Sequence, residues 1–195
     1  AAAGGFTDEI YRSMVADNSL AYAVARKILG AHFPESIHED ILAAVGIDVP
    51  DAEYTTRRRV RDPDFRHRIL IAYGYECAVC GNNVRLGERS IALEAAHIKW
   101  FQAGGPDQEQ NGVALCTLHH KLFDRGAFTI SPDLVVKVSE RINGKGMDDW
   151  LVRFHDGRIK SPIRPKYYPA EDFVNWHVAE VFQGPGRYQS INGMQ

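Results

Sequence analysis

The stretch that decides the fold is CAVCGNNVRLGERSIALEAAHIKWFQAGGPDQEQNGVALCTLHHKLFD, residues 77–124. It contains all three cysteines of the chain, three of its eight histidines, and Asn111. Two closely spaced pairs stand near its ends, Cys77 with Cys80 and Cys116 with His119. Each pair fits a tight turn that brings both side chains to one metal ion, and four such ligands predict a closed tetrahedral zinc site. The metal would hold the frame together and add folding free energy.

The composition is that of a soluble globular protein, with 45% hydrophobic and 25% charged residues in a chain of 195. This length allows one domain, or a medium domain with a smaller one attached. No apolar run reaches the roughly 18 residues that a membrane span needs, and the first residues, AAAGG, lack the pattern of a signal peptide. The number of cysteines is odd and all three belong to the predicted metal site, which favours a metal site in a reducing compartment over a disulfide framework. The alternative is that they are buried free thiols, the commoner state of a lone cysteine. We therefore expect a cytoplasmic protein without a membrane span.

The formal net charge of -2 gives no support for DNA binding, so any contact with phosphates has to come from local clusters of positive charge. One such cluster lies in the proline-containing segment 49–64, which has the composition of a linker. Its arginines are Arg57, Arg58, Arg59 and Arg61. They are either a solvated face of the linker or a strap that contacts DNA phosphates.

Residues 7–47 are predicted to form three short helices. Thr7 is a candidate N-cap for the first helix, and Gly46 is a candidate C-cap for the third. The second helix is expected within LAYAVARKILGAHF (20–33), with one apolar stripe that Gly30 and Pro34 end. The residues of that stripe are Leu20, Val24 and Ile28.

The segments on either side of residues 77–124 predict a mixed fold. Residues 65–74 are typical of a helix with one apolar face, formed by Phe65, Ile69 and Ala72. Alternating apolar residues predict strands within 127–142, and the Asp156-Gly157 pair predicts a hairpin. A closing helix is expected over 169–182. Its candidate packing residues are Phe173, Trp176, His177 and Phe182.

The order of chemical groups in residues 77–124 resembles that of the HNH endonucleases, which have a ββα-metal fold. The segments that carry the resemblance are Cys77-x-x-Cys80, AHIKWFQAGG, NGVALC, and Cys116-x-x-His119 with the adjoining His120. It implies that His97, at the end of a strand SIALEAAH (90–97), is the general base, and that Asn111 pins the loop and orients His97. It also implies that His120, which opens a helix HKLFD (120–124), binds a catalytic Mg²⁺, Mn²⁺ or other divalent ion. The implied fold is an α+β HNH core with a structural zinc knuckle, preceded by a small helical segment and followed by strands and a helix.

Phosphodiester hydrolysis calls for these residue types independently of the family. A water must lose a proton in line with the leaving oxygen, and a cation must absorb the charge that develops there. A histidine can take the proton because its ordinary pKa is near neutral. Asparagine does not titrate and suits a positioning hydrogen bond.

One position departs from the HNH pattern. Many HNH nucleases place an aspartate immediately before the base, and in this chain Ala96 stands there. Glu94 lies two residues earlier on the same strand face and could replace that ligand directly or through water. Alternatively, His120 holds the metal with the substrate phosphate and waters, or shares it with His97.

The substrate is predicted from a further resemblance. The segment HFPESIHEDILAAVGID, residues 32–48, followed by an HNH domain, resembles the McrA-like modification-dependent type IV restriction enzymes. Residues 6–48 resemble the last helices of a domain that binds phosphorothioate DNA. The implied substrate is double-stranded phosphorothioate DNA in a bacterial cytoplasm, with modified cytosine as the next candidate mark. Cutting both strands would need two centres, so a homodimer is expected.

The implied domain organisation has four parts. They are a helical segment at 1–48, an arginine-rich linker at 49–64, the nuclease domain at 65–188 and a tail at 189–195. Two other functional classes compete with this interpretation. A non-catalytic zinc module that binds DNA would use the histidines for folding alone. A homing or colicin-like nuclease fits less well, because a net charge of -2 is low for indiscriminate DNA binding.

Overall fold

The computed structural model describes residues 5–47 and 62–187. The chain divides into two compact units, Ala1–Arg58 and Arg59–Gln195. The predicted arginine strap and the predicted tail fall outside the described residues, so the strap and the domain boundaries stay predictions. No helix within the two described ranges combines the length and the apolar character needed to cross a membrane.

The first unit consists of three α-helices. They are α1 (Asp8–Ala16), α2 (Asn18–His32) and α3 (His38–Ala44), with a 3-10 turn at Glu35–Ile37 before α3. The predicted cap of α1 is confirmed, because the Thr7 hydroxyl accepts a hydrogen bond from the Ile10 N–H. Helix α2 runs past Gly30 and ends at His32, with Phe33 as its cap, so of the two residues expected to end it only Pro34 lies directly after the cap.

The prediction of which residues form the buried stripe of α2 is wrong. Leu20 and Ile28 are exposed, whereas Tyr22 and Leu29 are buried and pack with Leu42 of α3. Tyr22 and Leu29 are separated by two helical turns and share a face, so the buried side of α2 is rotated away from the predicted one. The two faces have similar apolar content, and contact with α3 decides between them.

The predicted role of Gly46 at the end of α3 is confirmed. Val45 is the cap residue, and Gly46 follows it with a φ of +71°. The Gly46 N–H donates to the Ala43 carbonyl and the Ile47 N–H donates to the Leu42 carbonyl. This pair of bonds is the Schellman arrangement, which favours glycine because of its left-handed backbone.

The second unit is built around a two-stranded antiparallel sheet. Its strands are β3 (Leu93–His97) and β4 (Gly112–Cys116), preceded by α4 (Phe65–Ala72) and a small hairpin of β1 (Arg85–Leu86) with β2 (Arg89–Ser90), and followed by α5 (Thr117–Asp124). The register pairs Leu93 with Cys116 and His97 with Gly112. Short 3-10 turns occupy Phe101–Ala103 and Glu109–Asn111. The predicted class of mixed helices and small sheets is confirmed.

A single strand over SIALEAAH, residues 90–97, was expected and is not found. Ala92 has a φ of +54° and separates β2 from β3. The Ile91 N–H donates to the Val84 carbonyl on one side, and the Ala92 carbonyl accepts from the Thr117 N–H on the other. The break lets the two strands pair with different partners.

Helix α4 packs directly across the sheet. The predicted apolar face is confirmed, because Phe65, Ile69 and Ala72 are all buried. A Cβ at Gly112 would lie 2.2 Å from the Ile69 Cδ1 atom, so any larger residue would have to displace the buried Ile69 side chain. The close packing fixes the position of α4 relative to the end of β3, where His97 lies.

The remaining elements cover the other side of the core. They are β5 (Phe128–Ile130), its antiparallel partner β6 (Val136–Val138), α6 (Met147–Trp150) and α7 (Glu171–Glu180). The hairpin predicted at Asp156-Gly157 is wrong. That turn hydrogen-bonds to Val136 of β6, through the Asp156 N–H and the Gly157 carbonyl, instead of joining two strands of its own. In α7, His177 is buried as expected, together with Val174.

Candidate active site and metal centre

The structure brings the four predicted zinc ligands together. Every pair of ligand atoms from Cys77, Cys80, Cys116 and His119 lies within 4.8 Å. The first pair sits on a turn that Gly81 closes with a φ of +73°, its N–H donating to the Cys77 carbonyl. The Ala78 N–H donates to the Ala114 carbonyl and attaches this turn to β4, whose last residue is Cys116. We call these four residues the sulphur site.

The distances in the sulphur site match a tetrahedron around one ion. The Cys80 and Cys116 sulphurs are 4.0 Å apart, and the His119 Nδ1 atom lies 3.2 Å from the Cys116 sulphur and 3.6 Å from the Cys77 sulphur. Zinc bonds of about 2.3 Å to sulphur and about 2.0 Å to nitrogen give ligand separations of roughly 3.5–3.8 Å. The cluster can therefore hold a structural metal such as zinc.

The surroundings of His119 prepare it as a ligand. Its Nε2 atom is 2.9 Å from the Trp150 carbonyl at the end of α6. A carbonyl only accepts, so Nε2 carries a proton in either charge state, and Nδ1, which faces the sulphurs, is the nitrogen that a metal ion would bind. Burial lowers the pKa of His119, but hydrogen bonds with Cys116, Cys77 and Cys80 outweigh burial and raise it to about 12. The three sulphurs thus favour a positive charge among them, and a bound divalent ion would supply it.

Asn111 closes the loop between β3 and β4. It is fully buried, and its Oδ1 atom accepts from the Lys99 N–H at 2.8 Å. Its Nδ2 atom donates to the carbonyls of Lys99 and Pro106 at 2.9 Å and 3.0 Å. A Cβ at Gly105 would lie 1.8 Å from the Lys99 carbonyl oxygen, so the loop closes tightly at that point too. Asn111 therefore acts on the backbone just after His97, in accord with its predicted role of pinning the loop.

His97 ends β3, as predicted, and its ring is held on two sides. It stacks on Phe65 of α4 with ring centroids 4.2 Å apart and an angle of 18° between the planes. Its Nε2 atom is 2.7 Å from the Oδ1 atom of Asp107. Asp107 was not predicted from the sequence. A lone aspartate in a loop has no informative spacing, and the pairing depends on the loop closure by Asn111.

His120 lies between two carboxylates. Its Nδ1 atom is 2.5 Å from the Glu94 Oε2 atom, and its Nε2 atom is 3.3 Å from the Asp124 Oδ2 atom. We call Glu94, His120 and Asp124 the carboxylate site. His120 was expected to open the helix, but α5 begins at Thr117, so His119 and His120 follow each other within its first turn. Asp124 was missed, although a spacing of four residues on a helix brings two side chains together.

Glu94 is tied into this site by a second contact. The Thr117 hydroxyl donates to the Glu94 Oε1 atom at 3.1 Å. The hydrogen bond with His120 is the main reason that the pKa of Glu94 lies below its ordinary value, against the effect of partial burial. Ala96, at the position before His97 where many HNH nucleases have an aspartate, is fully buried and contributes to the core. Glu94 is thus the charged partner that β3 offers to His120.

The carboxylate site has the chemistry of a divalent-cation site. One imidazole and two carboxylates are donors that Mg²⁺, Mn²⁺ and similar ions accept. Within residues 5–47 and 62–187, the sulphur site is the one group of three or more histidine, cysteine, aspartate or glutamate side chains whose ligand atoms all lie within 4.8 Å of one another. In the carboxylate site, the two ring nitrogens of His120 each contact one acid, and a bound ion would replace one of these contacts.

Comparison with known proteins supports the nuclease interpretation. A family model described as HNH endonuclease matches residues 77–131. Among solved structures, a chain titled "Modification dependent TagI restriction endonuclease" is similar, with 24% sequence identity and a TM-score of 0.47. The similarity covers 69% of this chain and 44% of that one, so this chain spans less than half of that protein's length. A search of curated proteins gave no match. The family match assigns residues 77–131 to the HNH endonucleases, which supports a nuclease activity, the hydrolysis of phosphodiester bonds, for this domain.

Proposed function

We propose that the protein is a metal-dependent DNA endonuclease of the modification-dependent, type IV kind, acting on phosphorothioate DNA. The observation that carries the proposal is the HNH domain, whose predicted base and predicted metal ligand each contact carboxylates. The phosphorothioate preference rests on the resemblance of residues 32–48, placed ahead of the HNH domain, to McrA-like enzymes. The bacterial cytoplasm as the location belongs to the same proposal.

The chemistry begins at His97. Phe65 and Asp107 fix its ring, so it can take a proton from a water as the water oxygen bonds to phosphorus. The bond from phosphorus to the leaving sugar oxygen breaks in the same displacement, and that oxygen takes a proton from solvent. Asn111 keeps the backbone after His97 in place during the reaction.

The carboxylate site would hold the divalent ion. When bound, such an ion stabilises the negative charge that develops on the phosphate and the leaving oxygen. His120 offers the imidazole, and Glu94 and Asp124 offer oxygens. Asp124 is nearly inaccessible, with 3% of its side chain exposed, whereas Glu94 is 42% exposed. Glu94 is therefore the carboxylate that a substrate phosphate or a water can reach.

The deciding experiment compares duplexes of one sequence that are unmodified, phosphorothioate-modified or methylated at cytosine. Each is incubated with the protein in Mg²⁺, Mn²⁺ or EDTA, and strand cleavage is measured. We expect metal-dependent cleavage of phosphorothioate DNA. Cleavage confined to methylated DNA would transfer the proposal to modified cytosine, and cleavage of all three duplexes would contradict modification dependence.

A matched pair of variants separates a nuclease from a non-catalytic zinc module. His97→Ala should abolish cleavage while zinc content and DNA binding stay unchanged. His67→Ala removes an exposed histidine from α4 and should leave cleavage unaltered. If the unsubstituted protein binds DNA but cuts none of the duplexes with any metal, the protein is a binding module instead. Sedimentation with DNA present tests the homodimer that double-strand cutting implies.

A further inference from the structure

The contact between His97 and Asp107 is short and shielded from water. The two atoms are 2.7 Å apart, and the side chains are only 11% and 14% exposed. A carboxylate can only accept a hydrogen bond, so the proton between them belongs to the Nε2 atom of His97. This tautomer gives the Nδ1 atom of the same ring the lone pair.

Asp107 is itself fixed from two directions. Its Oδ2 atom accepts from the Asp62 N–H at 2.9 Å, and its carbonyl accepts from an Arg68 guanidinium nitrogen at 2.8 Å. Arg68 forms ion pairs with Asp62 at 2.7 Å and with Glu109 at 3.1 Å. The start of α4 thereby holds the carboxylate in place, while Phe65 on the same helix holds the imidazole.

We infer that Asp107 is a positioning residue that makes the Nδ1 atom of His97 the proton acceptor in catalysis. The inference rests on the proposed nuclease function. Asp107 accepts a hydrogen bond from the Nε2–H group of His97 before, during and after the reaction, and the proton stays on nitrogen throughout. When Nδ1 receives a proton from the attacking water, the ring becomes a cation next to a desolvated carboxylate, which stabilises it.

The geometry dictates what an asparagine would do in place of Asp107. The Asp62 N–H is a donor, so the side-chain oxygen of an asparagine would turn towards it. The amide NH₂ group would then face the Nε2 atom of His97. Two donors cannot face each other, so the ring would move its proton to Nδ1 and present a lone pair at Nε2. Asparagine has nearly the same shape as aspartate, but it would hold His97 in the Nδ1–H tautomer, in which Nδ1 cannot accept a proton.

The test is Asp107→Asn in the full chain, with Glu109→Gln as the matched control. Glu109 pairs with the same arginine, and its substitution removes one charge without touching the bond to His97. We expect Asp107→Asn to lower kcat by about 10²–10⁴-fold, with KM for DNA within about threefold of the unsubstituted value. Glu109→Gln should keep kcat within about threefold, as expected for a residue outside the base's hydrogen bonds. Zinc content and Tm should stay unchanged in both.

A second readout does not depend on cleavage. Nitrogen-15 NMR of the imidazoles distinguishes the two neutral tautomers, and the His97 signal is assigned by its loss in His97→Ala. We expect the Nε2–H form in the unsubstituted protein and the Nδ1–H form in Asp107→Asn. An Nδ1–H form in the unsubstituted protein would overturn the inference even if the variant did not fold.

The outcomes separate the two proposals. If the unsubstituted protein cuts DNA and Asp107→Asn cuts it equally well, the inference is wrong and the nuclease proposal stands. If the unsubstituted protein cuts no DNA, the nuclease proposal fails with the catalytic part of the inference, and the NMR result decides whether Asp107 sets the tautomer. A loss of activity with an unchanged tautomer would reduce Asp107 to a structural role and overturn the inference.

Discussion

His119 and His120 are neighbours on α5, yet they face different chemistry. His119 is 1% exposed and points at three cysteine sulphurs. The His120 side chain is 21% exposed and lies between two carboxylates. Successive residues on a helix point about 100° apart, so one turn of α5 serves two sites. The role of each histidine follows from the donors around it.

The two sites also differ in whether a substrate could reach a bound metal ion. Sulphur ligands select ions such as zinc and fill a tetrahedron, which leaves no position for a substrate. Carboxylate oxygens suit ions that keep waters and exchange them for phosphate oxygens. The sulphur site therefore belongs to the frame, and the carboxylate site can take part in a reaction.

The largest effect is expected from Cys116→Ser. Structural zinc contributes about 10–16 kcal/mol in zinc-finger peptides, which equals or exceeds the stability of a typical domain. The variant should lose its zinc and its cooperative unfolding transition. Metal analysis and circular dichroism measure both, and prolonged chelation of the unsubstituted protein should give the same result. A zinc-free variant with an unchanged Tm would show that the sulphur site is not structural.

A smaller effect, confined to activity, is expected from Glu94→Gln. It weakens the contact that β3 offers to His120, so cleavage should fall by about 10- to 100-fold or more, with one zinc retained per chain. Glu88→Gln, an exposed glutamate on the β1–β2 turn, is the control and should cut normally. Loss of zinc from Glu94→Gln would contradict the separation of the two sites.

The smallest effect concerns the stability of the folded state in acid. It tests whether His177, which lies outside the sulphur site and the carboxylate site, explains part of the stability that is lost as the pH falls. His177 stacks on Phe123 of α5, and burial lowers its pKa to about 3 from an ordinary 6.5. Below pH 6.5 the unfolded chain therefore binds a proton that the folded chain refuses, so the folded state loses stability as pH falls from 6.5 towards 3. Between pH 7.5 and 5.5 the loss from this group is about 1.4 kcal/mol.

Substitution isolates that contribution. His177→Gln removes the titrating group and keeps an amide that can donate to the Phe123 carbonyl, as the Nε2 atom of His177 does. Denaturant unfolding at the two pH values should show a smaller drop in the variant than in the unsubstituted protein. Equal drops would assign the acid sensitivity to other groups, such as the cysteines of the sulphur site.

The sequence predicted what depends on neighbours along the chain. Within each ligand pair the two side chains are brought together locally, by the turn at Cys77–Cys80 and by the start of α5 at Cys116–His119, and the caps at Thr7 and Gly46 are equally local. Prediction from the sequence failed where the local structure depends on a contact with a residue far away along the chain. The turn at Asp156 pairs with Val136, the buried face of α2 is chosen by Leu42, and Asp107 reaches His97 only across a closed loop.

The hydrogen bond from His119 to the Trp150 carbonyl links the sulphur site to an indole at the surface. Trp150 is 63% exposed, whereas Trp100 and Trp176 pack against each other with ring centroids 5.6 Å apart. If the sulphur site holds a metal, we expect its removal to loosen the His119 ring and, through this hydrogen bond, the end of α6. The fluorescence of one tryptophan then reports on metal occupancy, while the two paired rings report on the fold around them. Trp150 emission is thus expected to serve as an intrinsic probe of metal binding at the sulphur site.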